Sequence, residues 1–285
     1  MQKNHKVSLL WALAVVITVS SAIYQRSTGP TKPAAFNLEL GKESCRFTLP
    51  RTHVITEDLV ITLENVPESL EGKMVYRRYP TGEEWRERNF VRQGNDLNVN
   101  LPLQPPAGKL EYYPVLSYKG RTIEPAGGEP VVIRFRGDVP ALLMIPHILF
   151  MFMAMLFSNL TGIMVLFRHP GYRIYMKLTF WTLLVGGLVL GPLIQDFAFG
   201  ELWSGWPVGR DMTDNKTLVA FLVWAIACFA NRKTAGPRPG FALLASVVLL
   251  IVYFIPHSIM GSELDYSTGR VVTGFIYSVC IVPFR

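Results

Sequence analysis

The second half of the chain is dominated by long stretches without a single Asp, Glu, Lys or Arg. Residues 139–167 carry no charge for 29 residues, 178–195 for 18, 217–231 for 15 and 239–262 for 24. A helix that crosses a bilayer needs roughly 20 apolar residues, within a range of about 17–25. Three of these runs qualify as they stand. The run at 217–231 predicts a helix that starts earlier, within 213–216.

The connections between the runs alternate in sign. Arg168, Arg173 and Lys177 form one acid-free connection, and Arg232, Lys233 and Arg238 form another. The connection 195–216 holds Asp196, Glu201, Asp211 and Asp214 against Arg210 and Lys216, and the loop after 257 holds Glu263 and Asp265 against Arg270. By the positive-inside rule the basic connections are expected in the cytoplasm and the acidic, aromatic ones outside. Lys3 and Lys6 precede the apolar run Val7–Ile23, which reads as an uncleaved signal anchor or as a signal peptide with Ser20-Ser21-Ala22 as its cleavage site. Either reading places residues 36–138 outside, which in a bacterium is the periplasm. The short run Val271–Pro283 is compatible with an interfacial segment, a re-entrant segment or a fifth helix.

The net charge of +7 is therefore a topology signal. Residues 36–138 hold 14 basic against 15 acidic residues, whereas residues 1–35 hold four basic and no acidic ones. A nucleic-acid partner is excluded by that distribution, and disorder by a hydrophobic content of 50%. The expected partner is the lipid bilayer. The expected organisation is an anchor or signal over 1–30, an external β-domain over 31–138 and an α-helical membrane domain of four or five helices over 139–285.

Residues 36–138 read as all-β. Asp96–Leu101 alternates polar and apolar residues, and Val131, Ile133 and Phe135 alternate with Arg134 and Arg136, the period of a half-buried strand. Further strands are predicted at Phe36–Leu40, Leu59–Leu63, Met74–Tyr79, Asn89–Arg92 and Leu110–Tyr118. They are punctuated by Pro80-Thr81-Gly82, Gln93-Gly94-Asn95 and Pro105-Pro106-Ala107-Gly108. Seven or so short strands in about 100 residues resemble an immunoglobulin-like or fibronectin-type sandwich. Such a domain is expected to act as a spacer or to dock a periplasmic protein. Its lone Cys45 and His53 read as packing and surface residues.

Ionisable residues at membrane depth are functional hypotheses by default. His147 and His257 each end an Ile-Pro-His tripeptide, and the expected topology puts both at the external boundary on different helices. Two imidazoles at matched depth suit haem iron. Between them lies an aromatic, Gly-rich segment, Phe199-Gly200-Glu201-Leu202-Trp203-Ser204-Gly205-Trp206, which runs into a helix that Asp214 or Thr213 could cap. Its glycines would let backbone approach a flat ligand or another helix.

Two external histidines flanking a tryptophan-rich loop resemble the haem-handling membrane proteins of cytochrome c assembly. In that family a WGxxWxWD-type loop presents haem and the flanking histidines ligate it. Here Phe199 stands where the leading Trp would be, and Asp211 follows Trp206 by five residues. The chain also has fewer helices than larger members. The resemblance implies haem b held by His147 and His257, with Phe199, Gly200, Trp203 and Trp206 around it, in electron transfer or haem handling.

Two other chemistries stay open. Asp211, Asp214, Glu263 and Asp265, with His257, could assemble a site for a hard cation or another transition metal. Met144, His147, Met151 and Met155 share a helical face, and thioether with imidazole suits Cu(I). Gly187 and Gly191 form a GxxxG that marks close helix packing. There is no CxxC or CxxCH among Cys45, Cys228 and Cys280, and no phosphate-binding loop, nucleophile elbow or HExxH helix. These absences point away from soluble-type hydrolases, kinases and dehydrogenases; a non-catalytic membrane scaffold with a periplasmic docking domain, and a metal-dependent membrane enzyme or copper protein built on the external loops, stay open beside haem binding.

Overall fold

The computed structural model describes residues 2–40, 43–233, 236–255 and 261–273. His257, Cys280 and all but the first three residues of the Val271–Pro283 run lie outside them.

Helix α1 spans Gln2–Thr28 and leads into a β-rich region. Its strands are β1 (Ala34–Leu40), β2 (Glu43–Leu49), β3 (Thr52–Val54), β4 (Leu59–Leu63), β5 (Leu70–Arg78), β6 (Arg86–Asn89), β7 (Val91–Gln93), β8 (Asp96–Leu101), β9 (Lys109–Tyr118), β10 (Arg121–Ile123) and β11 (Val131–Arg136). One sheet runs β3-β11-β9-β5-β6 with β10 on β9, a second runs β4-β8-β7, and β1 and β2 form a hairpin. β3 pairs parallel to β11, and the other pairs here are antiparallel. The alternation expected at Asp96–Leu101 and Val131–Phe135 is realised: Leu97, Val99 and Leu101 face Ile133, Phe135, Met74 and Tyr112 in one hydrophobic core. The hairpin adds Leu38, Leu40, Phe47 and Leu49 to the same core.

The remaining helices are α2 (Ala141–Leu166), α3 (Tyr172–Leu183), α4 (Gly191–Phe199), α5 (Met212–Ala230) and α6 (Pro239–Phe254), followed by the hairpin β12 (Ser262–Asp265) and β13 (Arg270–Thr273). α3 continues into α4 through a π-helical segment, Leu184–Leu190. Among the described residues four helices are long and apolar enough to cross a membrane: Lys6–Thr28, Ala141–Leu166, Tyr172–Phe199 and Met212–Ala230. α6, from the 239–262 run expected to span as it stands, is helical over Pro239–Phe254 alone among the described residues and is shorter than a span needs. The helix of the 217–231 run does begin upstream, at Met212, one residue before the expected 213–216.

Small residues set the helix packing. Ala14, Ala154, Ala220, Ala227, Ala242 and Ala245 are buried at the contacts, around Trp224 and Met164. Gly162 lies so close to α6 that a Cβ would stand 2.9 Å from the Ser246 Cβ. Large apolar side chains instead face outward, among them Leu149, Phe152, Trp181, Phe229, Leu244 and Ile251. In water so much exposed apolar surface would be an aggregation liability; against lipid tails it is the ordinary solvent-facing side. α1 belongs to the bundle, since Asn159 Nδ2 donates to Thr18 Oγ1 at 2.9 Å between buried side chains.

The two ends of the bundle differ. At one end buried Asn231 ties the basic connections together. Its Oδ1 accepts from Tyr172 Oη at 3.0 Å and from Arg238 N at 3.0 Å, and Arg173 donates to the Asn231 and Lys233 carbonyls. The β-domain sits on the opposite end.

Candidate functional site

Four segments distant in sequence meet where the β-domain rests on the helices. They are the end of β11, the 200–211 loop with the first turn of α5, the β12–β13 hairpin, and the start of α2 beside the π segment.

Asp211 is the hub. Its Oδ1 accepts from Thr213 N at 2.7 Å and caps α5, and its Oδ2 accepts from Ser262 N at 3.0 Å and Ser262 Oγ at 3.2 Å. The cap is thus Asp211, not Asp214 or Thr213 as the sequence suggested, because the helix starts at Met212. Asp214 Oδ2 instead accepts from Ser204 N at 2.7 Å, and Asn215 Oδ1 from Trp206 N at 2.6 Å, so the first turn of α5 holds the aromatic loop. Gly205 permits this contact, since a Cβ there would stand 2.7 Å from the Asp214 Cβ. Gln195 Nε2 donates to Ser204 Oγ, whose hydroxyl lies 3.2 Å from that of Ser262.

The β-domain joins this network through its strand ends. Arg134 Nη2 donates to the Ser262 carbonyl, and its guanidinium stacks 3.8 Å from the centre of the Phe199 ring. Gly137 N donates to the Ala198 carbonyl at 2.8 Å, and Leu264 N to the Ala107 carbonyl at 3.1 Å. Lys109 Nζ pairs with Glu263, while Tyr266 Oη donates to the Lys109 carbonyl at 2.8 Å and accepts from Lys109 N at 2.9 Å. Burial pushes the Arg134 guanidinium down to about 10, opposed by Asp211 and Glu263, so it stays cationic at neutral pH. Burial likewise lowers Lys109, against the pull of Glu263, and raises Tyr266.

Below this seam lies a cavity of about 190 Å³, lined by Arg134, His147, Met151, Gln195, Phe199 and Asp214 among others. His147 Nδ1 lies 2.9 Å from the Gly186 carbonyl. A carbonyl can only accept, so Nδ1 carries the proton in this bond and Nε2 keeps the lone pair. The π segment supplies that carbonyl. Pro192 has no N–H for the Leu188 carbonyl, and its ring crowds that position, so the wider π turns relieve the strain. Gly186 and Gly187 let the widened segment fit, since a Cβ would stand 2.8 Å from the Phe150 Cβ and from the Thr217 Cγ2 respectively.

The residues singled out from sequence divide. His147, Met151, Phe199, Asp211 and Asp214 line the cavity. Trp203 Nε1 donates to the Trp206 carbonyl at 3.1 Å, and Trp206 is 68% exposed, so the tryptophans form an outer tip of the loop and not the cavity wall. Gly200 is the left-handed residue that ends α4, at φ 77°, with its N–H on the Asp196 carbonyl. Glu263 is committed to Lys109, and Asp265 accepts from Ser267 and Thr268 in its own turn. Met155 is packed in the bundle core. Among the described residues no three His, Cys, Asp or Glu side chains group as a metal site. In the β-domain, His53 Nε2 lies 2.8 Å from the Glu57 carbonyl and Cys45 Sγ lies 3.9 Å from the Asn65 carbonyl.

Arg134, Gln195, Ser204 and Ser262 escaped the sequence reading. Arg134 was visible only as the polar member of a strand alternation, and nothing local distinguishes it from a solvated arginine. No family model matches the chain, and no curated protein or solved structure shows significant similarity to it.

Proposed function

We propose that this chain is an integral membrane binding protein whose ligand sits in the cavity between the helices and the β-domain. One observation carries the reading: the cavity wall is built from both halves, with Arg134 from β11 facing the same space as His147 and Met151 from α2. Occupancy would then bear on how firmly the β-domain is seated. We read the β-domain as an immunoglobulin-like sandwich that docks an external protein. The order β4-β8-β7 against β11-β9-β5-β6, with β3 parallel on β11, supports this, matching the B-E-D and G-F-C arrangement of such domains. We read α1 as a retained anchor, supported by its buried contact with α2, and the cavity end as the periplasmic face of a bacterial inner membrane, supported by the basic opposite end.

Native mass spectrometry of the protein released from lipid nanodiscs tests the binding reading. The expected result is a retained small mass that is lost in His147→Ala, or failing retention, a thermal shift from a metabolite panel. A ligand at 100 times its dissociation constant stabilises by about 2.7 kcal/mol. A wild-type mass without adduct, together with no shift across the panel, overturns the reading.

Haem is the second reading, favoured by the His147 geometry. Ligating histidines characteristically donate their other ring N–H to a carbonyl or carboxylate, as Nδ1 does here. His147 and His257 would hold the iron, which would supply one-electron chemistry. The cavity of about 190 Å³ is smaller than the roughly 300–1,000 Å³ that drug-sized ligands occupy. A porphyrin would therefore not fit within it as it stands. A reduced-minus-oxidised spectrum of protein from haem-replete cells decides: b-type α-bands support haem, and their absence removes it.

A further inference from the structure

We propose that the tip of the 200–211 loop is a lipid-binding foot: Leu202, Trp206 and Val208 enter the headgroup zone of the leaflet on the β-domain side and rest on the bilayer. This goes beyond the cavity and rests only on α5 spanning the membrane.

The loop presents these side chains on a fixed backbone. Val208 is 78% exposed, Trp206 68% and Leu202 53%. Residues 202–209 carry no charge, between Glu201 and Arg210. The backbone is held as it stands by its own hydrogen bonds. Val208 N and Gly209 N donate to the Gly205 carbonyl at 3.0 and 2.8 Å, and Asp211 N donates to the Ser204 carbonyl at 2.9 Å. Trp203 Nε1 closes the turn on the Trp206 carbonyl at 3.1 Å. An apolar tip held out into water is an association liability. Among headgroups it is at home, and an indole, with its apolar body and polar N–H, suits that zone.

Depth is what favours lipid over a soluble partner. α5 has 19 residues, Met212–Ala230. At 1.5 Å per residue it is about 28 Å long, against a hydrocarbon core of about 30 Å. It has no turn to spare, so its first turn stands at the edge of the hydrocarbon. The loop does not rise from that turn into water but folds back beside it. A Cβ on Gly205 would stand 2.7 Å from the Asp214 Cβ, and Trp206 N donates to Asn215 Oδ1 at 2.6 Å. Asn215 lies about 4.5 Å along the helix axis from Met212. The turn that carries Trp206 and Val208 is therefore level with the headgroups. Its inner side is already filled, since Ser204 meets Asp214 and Ser262, and the exposed side is left to the bilayer.

The test is tryptophan quenching of the full chain in vesicles of phosphatidylcholine brominated either near the headgroup or near the chain end, with iodide as the quencher in water. The emission of one ring is the difference between the wild type and its Phe variant. Trp206→Phe keeps an aromatic ring and leaves the backbone bonds of the loop in place. The emission it removes should be quenched more strongly by bromine near the headgroup than by chain-end bromine or by iodide. Val208→Trp, added to that variant, should restore the shallow-quenched component. Trp181, 59% exposed and well inside the Tyr172–Phe199 span, is the control and should answer to chain-end bromine. If Trp181 does so while Trp206 answers chiefly to iodide, the tip stands in water, open to a protein partner, and the proposal falls while the spans stand. If Trp181 also answers only to iodide, the spanning reading falls with it. Stronger chain-end quenching of Trp206, or failure of Val208→Trp to restore shallow quenching, also overturns the proposal.

Discussion

Replacing Asp211 by Ala should unseat the β-domain from the helices without unfolding either. Asp211 is 4% exposed and serves two partners at once. Loss of an N-cap side chain destabilises a helix by about 1 kcal/mol. The Ser262 amide, buried on Oδ2 at 3.0 Å, would lose its acceptor, and leaving such a donor unmet costs roughly 1–3 kcal/mol; the Ser262 hydroxyl keeps Ser204 Oγ at 3.2 Å. Together these give about 3 kcal/mol, or roughly a hundredfold at 1.4 kcal/mol per factor of ten. Hydrogen exchange in nanodiscs reads the effect where it should appear, at the amides of Ser262, Leu264 and Gly137, which bond to Asp211, Ala107 and Ala198. Their protection should fall by about two orders of magnitude. Protection in the β9 and β5 core and in α2 should stay within a few fold. Asp211→Asn keeps one acceptor and should fall between. A change of less than fivefold at the seam, or equal loss throughout the chain, would refute the idea that Asp211 is the hub.

Gly137→Ala should be more damaging than any other glycine substitution at the seam. Its Cβ would stand 2.2 Å from the Phe197 carbonyl oxygen, and overpacking of this kind costs about 1–3 kcal/mol; Gly82→Ala, with nothing within 4 Å, should leave the melting temperature unchanged. Asn231→Ala at the basic end should lower thermal stability in detergent by roughly 1–3 kcal/mol, since it strands the buried Tyr172 hydroxyl and the Arg238 amide; an unchanged melting curve would contradict that. The Asp265 carboxyl is held below its ordinary 3.8 by hydrogen bonds from Ser267 and Thr268. Its contribution to the hairpin turn is therefore fully present above 3.8 and fades as pH falls through the lower folded value. A carboxyl NMR titration should show a midpoint under 3.8, and one at or above it would rule the turn geometry out.

What the sequence revealed follows from how local each cause is. A charge-free run of 18 or more residues announces a helix by composition alone, and strand alternation announces which of Leu97, Val99, Ile133 and Phe135 face inward. The β12–β13 hairpin read as a polar loop because its strands are four residues each and carry one or two apolar side chains. Its order comes from the β-domain, through Leu264 on Ala107 and Tyr266 on Lys109. His147 was legible because an imidazole in an apolar run is conspicuous. Arg134 was not, since its burial is created by Phe199 and Ser262, far away in sequence. The glycines of the aromatic loop were read as room for a flat ligand, and Gly200 and Gly205 have nearer explanations in a helix end and in contact with Asp214.

The central claim is that the space between Arg134 and His147 is a ligand site rather than a packing defect. A high-resolution map of the protein purified gently from native membranes tests it most directly. Density for a compact non-protein group is expected in the space lined by Arg134, His147 and Met151, with the His147 Nδ1 to Gly186 contact intact. A cavity closed by protein side chains, or one filled only by ordered water, would contradict it.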